Sequence, residues 1–119
     1  PQLIDINYNT ALNGDIMHAN GIDYDSVKDI IYLSVNKYSE VWVIDHSTTI
    51  LEAESDSGGI YNKGGDLLYR FGNPTAYKNL QGTRMFYNNH FPNLLEDNEP
   101  GVDNVLVFNN GVNNGQSII

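Results

Sequence analysis

Three histidines, His18, His46 and His90, are the side chains here best suited to acid–base or nucleophilic work near neutral pH. A neutral imidazole both attacks electrophiles and carries protons in that range. A histidine taken alone is more often structural or merely exposed. His46 follows Asp45 at the end of an apolar run and reads as a turn residue. His18 and His90 carry more weight, because each opens a similar stretch. His18 is followed by Asn20, an acidic turn with Asp25 and the run "IIYLSVN"; His90 is followed by Asn93, an acidic turn with Asp97 and the run "VLVFNNG".

Two arginines, Arg70 and Arg84, are the candidates for recognising an anion, since guanidinium offers a two-pronged donor. Arg84 lies shortly before His90, within reach of the same site. Arg70 ends a strand-like run, where pairing with a surface carboxylate is an equal expectation. Asp23, Asp25 and Asp29, and the later group Asp97, Asn98, Glu99 and Asp103, supply oxygen ligands of the kind calcium takes. Neither group has the glycine and closing glutamate of an EF-hand loop, and acidic turns between strands are common, so no metal is expected. The absence of cysteine removes disulfides, thiolate zinc and thiol nucleophiles. The sequence contains no G-x-S-x-G and no H-E-x-x-H, and no Lys-Ser/Thr pair opens a helix after either Gly-Gly pair.

The elements that would position these residues read as strands. Residues 29–35 and 40–45 are rich in β-branched and aromatic side chains, and the short turn at 36–39 makes them an antiparallel hairpin. Residues 21–24 form a short strand before the turn at 25–28. Residues 66–71 are another strand, stopped by Gly72 and Pro74. Residues 85–87 and 91–95 read as short strands and 104–108 as the last clear one. Residues 50–54 are ambiguous, and no stretch shows helical periodicity.

The repeated unit, histidine, short strand, acidic turn, buried strand and polar exit, suggests an all-β fold of the β-propeller kind. A plain blade takes roughly 40–50 residues and closure needs about four to eight blades. Residues 1–119 therefore cover about two to three blades, and the chain is expected to be a fragment of a single propeller domain. Pro1 in place of a starting methionine agrees with a processed or incomplete chain. In such a fold the first strand of each blade lines the central channel, so His18 and His90 are expected to face a common pocket.

The charge balance narrows the partners. Fifteen acidic residues face six basic ones, a formal net charge of -9. Nucleic acid, which needs a basic patch, is disfavoured, and so is an acidic membrane surface. No apolar run approaches a membrane span. Hydrophobic residues make up 40 % of the chain, within the globular range.

Three segments carry a family resemblance. "HANGIDYDSVKDIIYLSVNKYSEVWVIDHSTT", "GGDLLYRFGNPTAY" and "NNHFPNLLEDNEPGVDNVLVFNNG" together resemble the bacterial arylsulfotransferases, also called aryl-sulfate sulfotransferases. The resemblance spans roughly residues 15–112. It implies a six-bladed propeller and transfer of a sulfuryl group from a phenolic sulfate ester to a phenol through a sulfo-histidine, without a cofactor. It implies His90 as the nucleophile and His18 as the neighbour that stabilises or protonates the phenolic oxygen. Asn20, Asn36 and Arg84 would bind substrate, the remaining blades would complete the site, and the location would be periplasmic or secreted. Asn36 stands where the better-known members carry an arginine, Lys37 where the pattern has histidine, and Asn89 where glutamine is usual. A neutral amide does not replace a guanidinium fork. The alternative reading is therefore a non-catalytic exported propeller that binds a ligand or partner protein, with calcium stabilisation as a further variant.

Overall fold

The computed structural model describes residues 4–10, 13–111 and 117–119. Strands β1 (Ala19–Asp25), β2 (Ile30–Val35), β3 (Glu40–Asp45) and β4 (Tyr69–Phe71) form one antiparallel meander in the order β1-β2-β3-β4. Strands β5 (His90–Leu94) and β6 (Val105–Phe108) form a second antiparallel pair. A one-turn helix, α1 (Ile50–Ala53), and a 3-10 turn, Pro74–Tyr77, lie on the connections around β4.

The two hairpin turns of the meander share one device. Asp29 and Ser39, each the last residue of its turn, take the left-handed conformation, with φ of 52° and 56°. Asp25 braces the first turn by accepting from the backbone N–H groups of Val27 (2.9 Å) and Lys28 (2.8 Å). Ser39 N–H closes the second on the Asn36 carbonyl at 2.9 Å.

Strand alternation gives the four-stranded sheet two different faces. On one face β3 presents Glu40 and Trp42, β2 presents Val35 and Leu33, and β4 presents Arg70 opposite Trp42. Val35, Tyr38, Trp42, Leu67 and Ala76 form the core there, with Tyr8 and Met17 packed against it. The Tyr38 ring meets Trp42 edge-on at 5.4 Å. Glu40 is fully buried within this core and pairs with Arg70, while the Trp42 indole N–H donates to Glu40 Oε2 at 2.6 Å. The Arg70 guanidinium also lies over the Tyr77 ring at 4.9 Å. Burial pushes the Glu40 carboxyl up, Arg70 and Trp42 pull it back, and the balance leaves it above its ordinary value.

The other face receives the second sheet. Tyr32, Val41, Val43 and Phe71 meet Val105 and Val107 across an apolar cavity of about 190 Å³. β5 runs against β1 and β2. The approach is closest at Gly21, where a Cβ would sit 2.7 Å from the Phe91 Cα and backbone nitrogen. Only glycine lets β1 and β5 come this near.

The expected strands at 21–24, 29–35 and 40–45 are all present, within two residues at their ends. Residues 66–71 shorten to Tyr69–Phe71, because Asp66 closes a turn on the Lys63 carbonyl and Leu67 is drawn into the Trp42 core. The 91–95 strand becomes His90–Leu94 and the last strand Val105–Phe108. Residues 85–87 are not a strand; Met85 and Phe86 both donate to the Gly72 carbonyl. The ambiguous residues 50–54 form the helix Ile50–Ala53, although no stretch shows helical periodicity. A single turn is too short for periodicity to show, and it is set by a capping box in which Thr49 N–H donates to Glu52 Oε2 (2.8 Å) and Glu52 N–H to Thr49 Oγ1 (3.4 Å). Arg70 pairs with the buried Glu40 instead of a surface carboxylate.

Glu40→Ala leaves the buried Arg70 guanidinium without this carboxylate and is expected to cost about 3–5 kcal/mol in urea unfolding. A loss below about 1 kcal/mol would show that the pair does not anchor this face. Asp25 gives a pH prediction. Burial pushes its carboxyl up, but the Lys28 backbone N–H, the Lys28 ammonium and the Val27 N–H outweigh it and hold it below its ordinary value. Its contribution is present above that ordinary value and is lost as pH falls through it toward the folded-state value. The Tm of Asp25→Asn should therefore fall less than wild type between about pH 6 and about pH 3. Parallel falls would remove Asp25 from the acid limb.

Candidate functional site

The site is built where β1, the β2–β3 turn and the start of β5 meet. Asn89, just before β5, is fully buried. Its carbonyl accepts from Asn20 Nδ2 (3.2 Å), Ser34 Oγ (3.2 Å) and Asn36 Nδ2 (3.3 Å). Its side-chain Nδ2 donates to Ser34 Oγ (2.8 Å) and the Glu40 carbonyl (3.0 Å). One residue thus ties the second sheet to three strands of the first. Ser34 reaches it because β2 alternation turns Ser34 to the same face as Val41 and Gly21, the face that meets β5.

His90 follows directly, and this clamp sets its ring among amides. Asn20 Nδ2 lies 2.7 Å from His90 Nδ1, and Asn36 Nδ2 lies 3.4 Å from Nε2. The ring meets Phe108, its cross-strand partner, edge-on at 6.1 Å. Asn36 is buried and accepts at Oδ1 from Asn88 Nδ2 at 3.2 Å. Asn88 and Phe91 take φ of 51° and 47°, so the backbone on both sides of Asn89-His90 is in the left-handed region. A bulky residue such as Phe91 rarely adopts it, and the bulge between His90 and Pro92 is what places it there. The side-chain oxygens of Asn20 and Asn89 are buried without a hydrogen-bond partner.

Of the residues singled out in the sequence, Asn20, Asn36 and His90 come together. His18 lies apart: its ring is half-exposed and its Nδ1 bonds Asp15 Oδ2 at 2.6 Å. Among the described residues no hydrogen bond joins the two imidazoles. The bulges explain the offset. Gly21 pairs with Ser34 after an unpaired Asn20, and Pro92 pairs with Val107 after an unpaired Phe91. The unpaired residue thus follows His18 by two positions and His90 by one, so the two histidines do not hold equivalent places before their strands. Arg84 joins the cluster only at its rim. Its Nη2 donates to Ser39 Oγ (2.7 Å), its Nε to the Phe86 carbonyl (2.9 Å), and its guanidinium covers the Tyr87 ring at 4.1 Å. Ser39 Oγ also accepts from Asn88 N–H at 3.0 Å, which links Arg84 to the Asn36 turn.

His46 pairs with Asp29 (2.7 Å), which also accepts from the Tyr24 hydroxyl (2.7 Å). The Tyr24 hydroxyl and His46 hold the Asp29 carboxyl below its ordinary value. The loose aspartate spacing does not converge on an ion. Asp23 accepts from Leu94 N–H at 2.6 Å, Asp25 braces its turn, and Asp29 serves Tyr24 and His46. Among the described residues no group of three or more histidines and carboxylates is placed to hold a metal.

Chemically, the cluster around His90 offers amide N–H groups and an imidazole, a set that fits acceptor oxygens. Asn88, Ser34 and Ser39 belong to this network and sequence reading did not single them out. The available signal was the polar Ser34 inside an otherwise apolar strand. No family model matches the chain, and no curated protein and no solved structure shows significant similarity to it.

Asn89→Ala strips partners from Ser34 Oγ and the Glu40 carbonyl and should cost about 2 kcal/mol. Asn89→Asp should cost more, because it buries a carboxylate whose oxygen faces that carbonyl. The reverse order in chemical denaturation would mean that Asn89 fills space without clamping the sheets.

Proposed function

We propose that the chain is part of a β-propeller of the aryl-sulfate sulfotransferase kind, exported to the periplasm or outside the cell, that moves a sulfuryl group from a phenolic sulfate ester to a phenol. The observation that carries this reading is the meeting of Asn20 and Asn36 at His90, where β5 starts beside β1. The stacking of the sheets supports the propeller. Val105 and Val107 of the second sheet line the cavity against the first, while Phe91, Leu106 and Phe108 stand exposed on its far side. A strand pair apolar on both faces is suited to lie between two further layers.

On this reading a His90 nitrogen attacks sulfur, the N–S bond forms and the S–O bond to the phenol breaks. The sulfo-imidazole carries the group while the departing phenolate takes a proton from protonated His18. The acceptor phenol then returns its proton to His18, its oxygen attacks sulfur, and the N–S bond breaks. The Asn36 amide meets a sulfuryl oxygen, Asn20 holds the His90 ring, and Arg84 orders the turn that carries Asn36.

The second reading, a propeller that binds without turning over, draws on three observations. His18 is engaged with Asp15, Arg84 is engaged with Ser39, Phe86 and Tyr87, and the net charge of -9 opposes an anionic ester.

An aryl sulfate that releases a coloured phenol separates the two. Turnover, a labile one-sulfuryl mass gain on His90 and at least about a hundredfold loss in His90→Ala are the outcomes for the transferase. Calorimetric binding of the ester with no phenol released would replace it with the binding reading.

A further inference from the structure

We infer that Asn20 fixes the tautomer of His90, holding the proton on Nε2 and making the resting ring a hydrogen-bond donor. The argument turns on which end of the Asn20 amide faces the ring. Asn20 Nδ2 lies 3.2 Å from the Asn89 carbonyl and 2.7 Å from His90 Nδ1. A carbonyl oxygen only accepts, so the atom beside it must be the N–H₂ group. Turned over, the Asn20 amide would set oxygen against oxygen at that carbonyl. The same group therefore donates to Nδ1, which must present its lone pair, and a neutral imidazole then carries its proton on Nε2.

The far side of the ring faces a donor as well, so the much shorter contact at Nδ1 is what decides the tautomer. Asn36 is oriented at both ends: Nδ2 donates to the Asn89 carbonyl (3.3 Å) and Oδ1 accepts from Asn88 Nδ2 (3.2 Å). The atom 3.4 Å from His90 Nε2 is thus a donor nitrogen, and this pair is a contact between two donors. The Nε2 proton remains available to a ligand oxygen such as that of a sulfate ester or another oxyanion.

The assignment stands without the transferase reading but bears on it. Attack by Nε2 requires the proton on Nδ1, where an acceptor must hold it. Asn20 is accordingly a positioning residue that opposes the nucleophilic form until a ligand or a turn of its amide intervenes.

Nitrogen-15 NMR of the whole protein labelled at histidine, at a pH where the ring is neutral, reads the tautomer directly. His90→Gln identifies the resonances. Wild type should show protonated Nε2 and bare Nδ1. Asn20→Asp, which can only accept, should exchange the two, and Asn20→Ala should leave a mixture. Protonated Nδ1 in wild type, or one unchanged tautomer in both variants, would overturn the inference. Loss of phenol release with the tautomers as stated would instead count against the transferase alone.

Discussion

The carbonyl of Asn89 is the point through which the two sheets become one structure. Three donors from β1, β2 and the β2–β3 turn converge on it, and the Asn89 side chain reaches back to Ser34 and to the backbone of Glu40. A buried carbonyl must be paired, and a buried amide must place both ends. Asn89 pairs its carbonyl and its amide N–H₂ in this way, though its side-chain oxygen stays unpaired, and these bonds set the translation of β5 along β1. Once that is set, Gly21 has to be glycine, Asp23 meets the Leu94 N–H, and Val107 falls against the Tyr32–Val43 cavity. Apart from the Asp23 bond, the contacts that follow are apolar and non-directional, so they add affinity between the sheets but little register.

The opposite face of the first sheet reaches its order by a different route. Glu40 is buried beside Trp42, in a position that an apolar residue would fill at lower desolvation cost. What the carboxylate adds is direction: it fixes the Arg70 guanidinium between the Trp42 and Tyr77 rings, and so binds short β4 and the 3-10 turn to β3. The Glu40 backbone carbonyl takes the Asn89 amide, while its side chain takes Arg70. One residue thereby joins the core of one face to the clamp on the other.

The hairpin of β2 and β3 was legible because its information is local. Alternating β-branched residues and a four-residue turn are enough to specify it. The second sheet was legible only in outline, since β5 contains Pro92 and the left-handed Phe91, and its position depends on a neighbour far away in sequence. The site divides along the same line. His90 could be found from residue type and its place in the repeat, while Asn20 and Asn36 were reached through the family resemblance. The offset between His18 and His90 could not, because it arises from two bulges that a repeat read by eye treats as equivalent. The partner of Arg70 stayed open for a related reason: the pattern of β4 gives its face, but it is the register of β3 that sets it opposite Trp42 and within reach of Glu40.

The resulting site concentrates neutral donors where the family pattern carries an arginine. Both arginines are committed elsewhere, Arg70 to the core and Arg84 to the Ser39 turn, and the groups that touch the His90 ring are amides. Amides are buried at far lower cost than guanidinium, so they suit a site assembled on a buried clamp. They also direct hydrogen bonds with fixed polarity, since each Asn is oriented by a second bond to a backbone carbonyl. An anionic oxygen brought to this site would meet the Asn36 N–H and the His90 ring beside a buried clamp, where a hydrogen bond is stronger than at the surface. Recognition built this way depends on geometry more than on net attraction. That is consistent with a strongly acidic chain in which long-range fields would work against an anionic ligand.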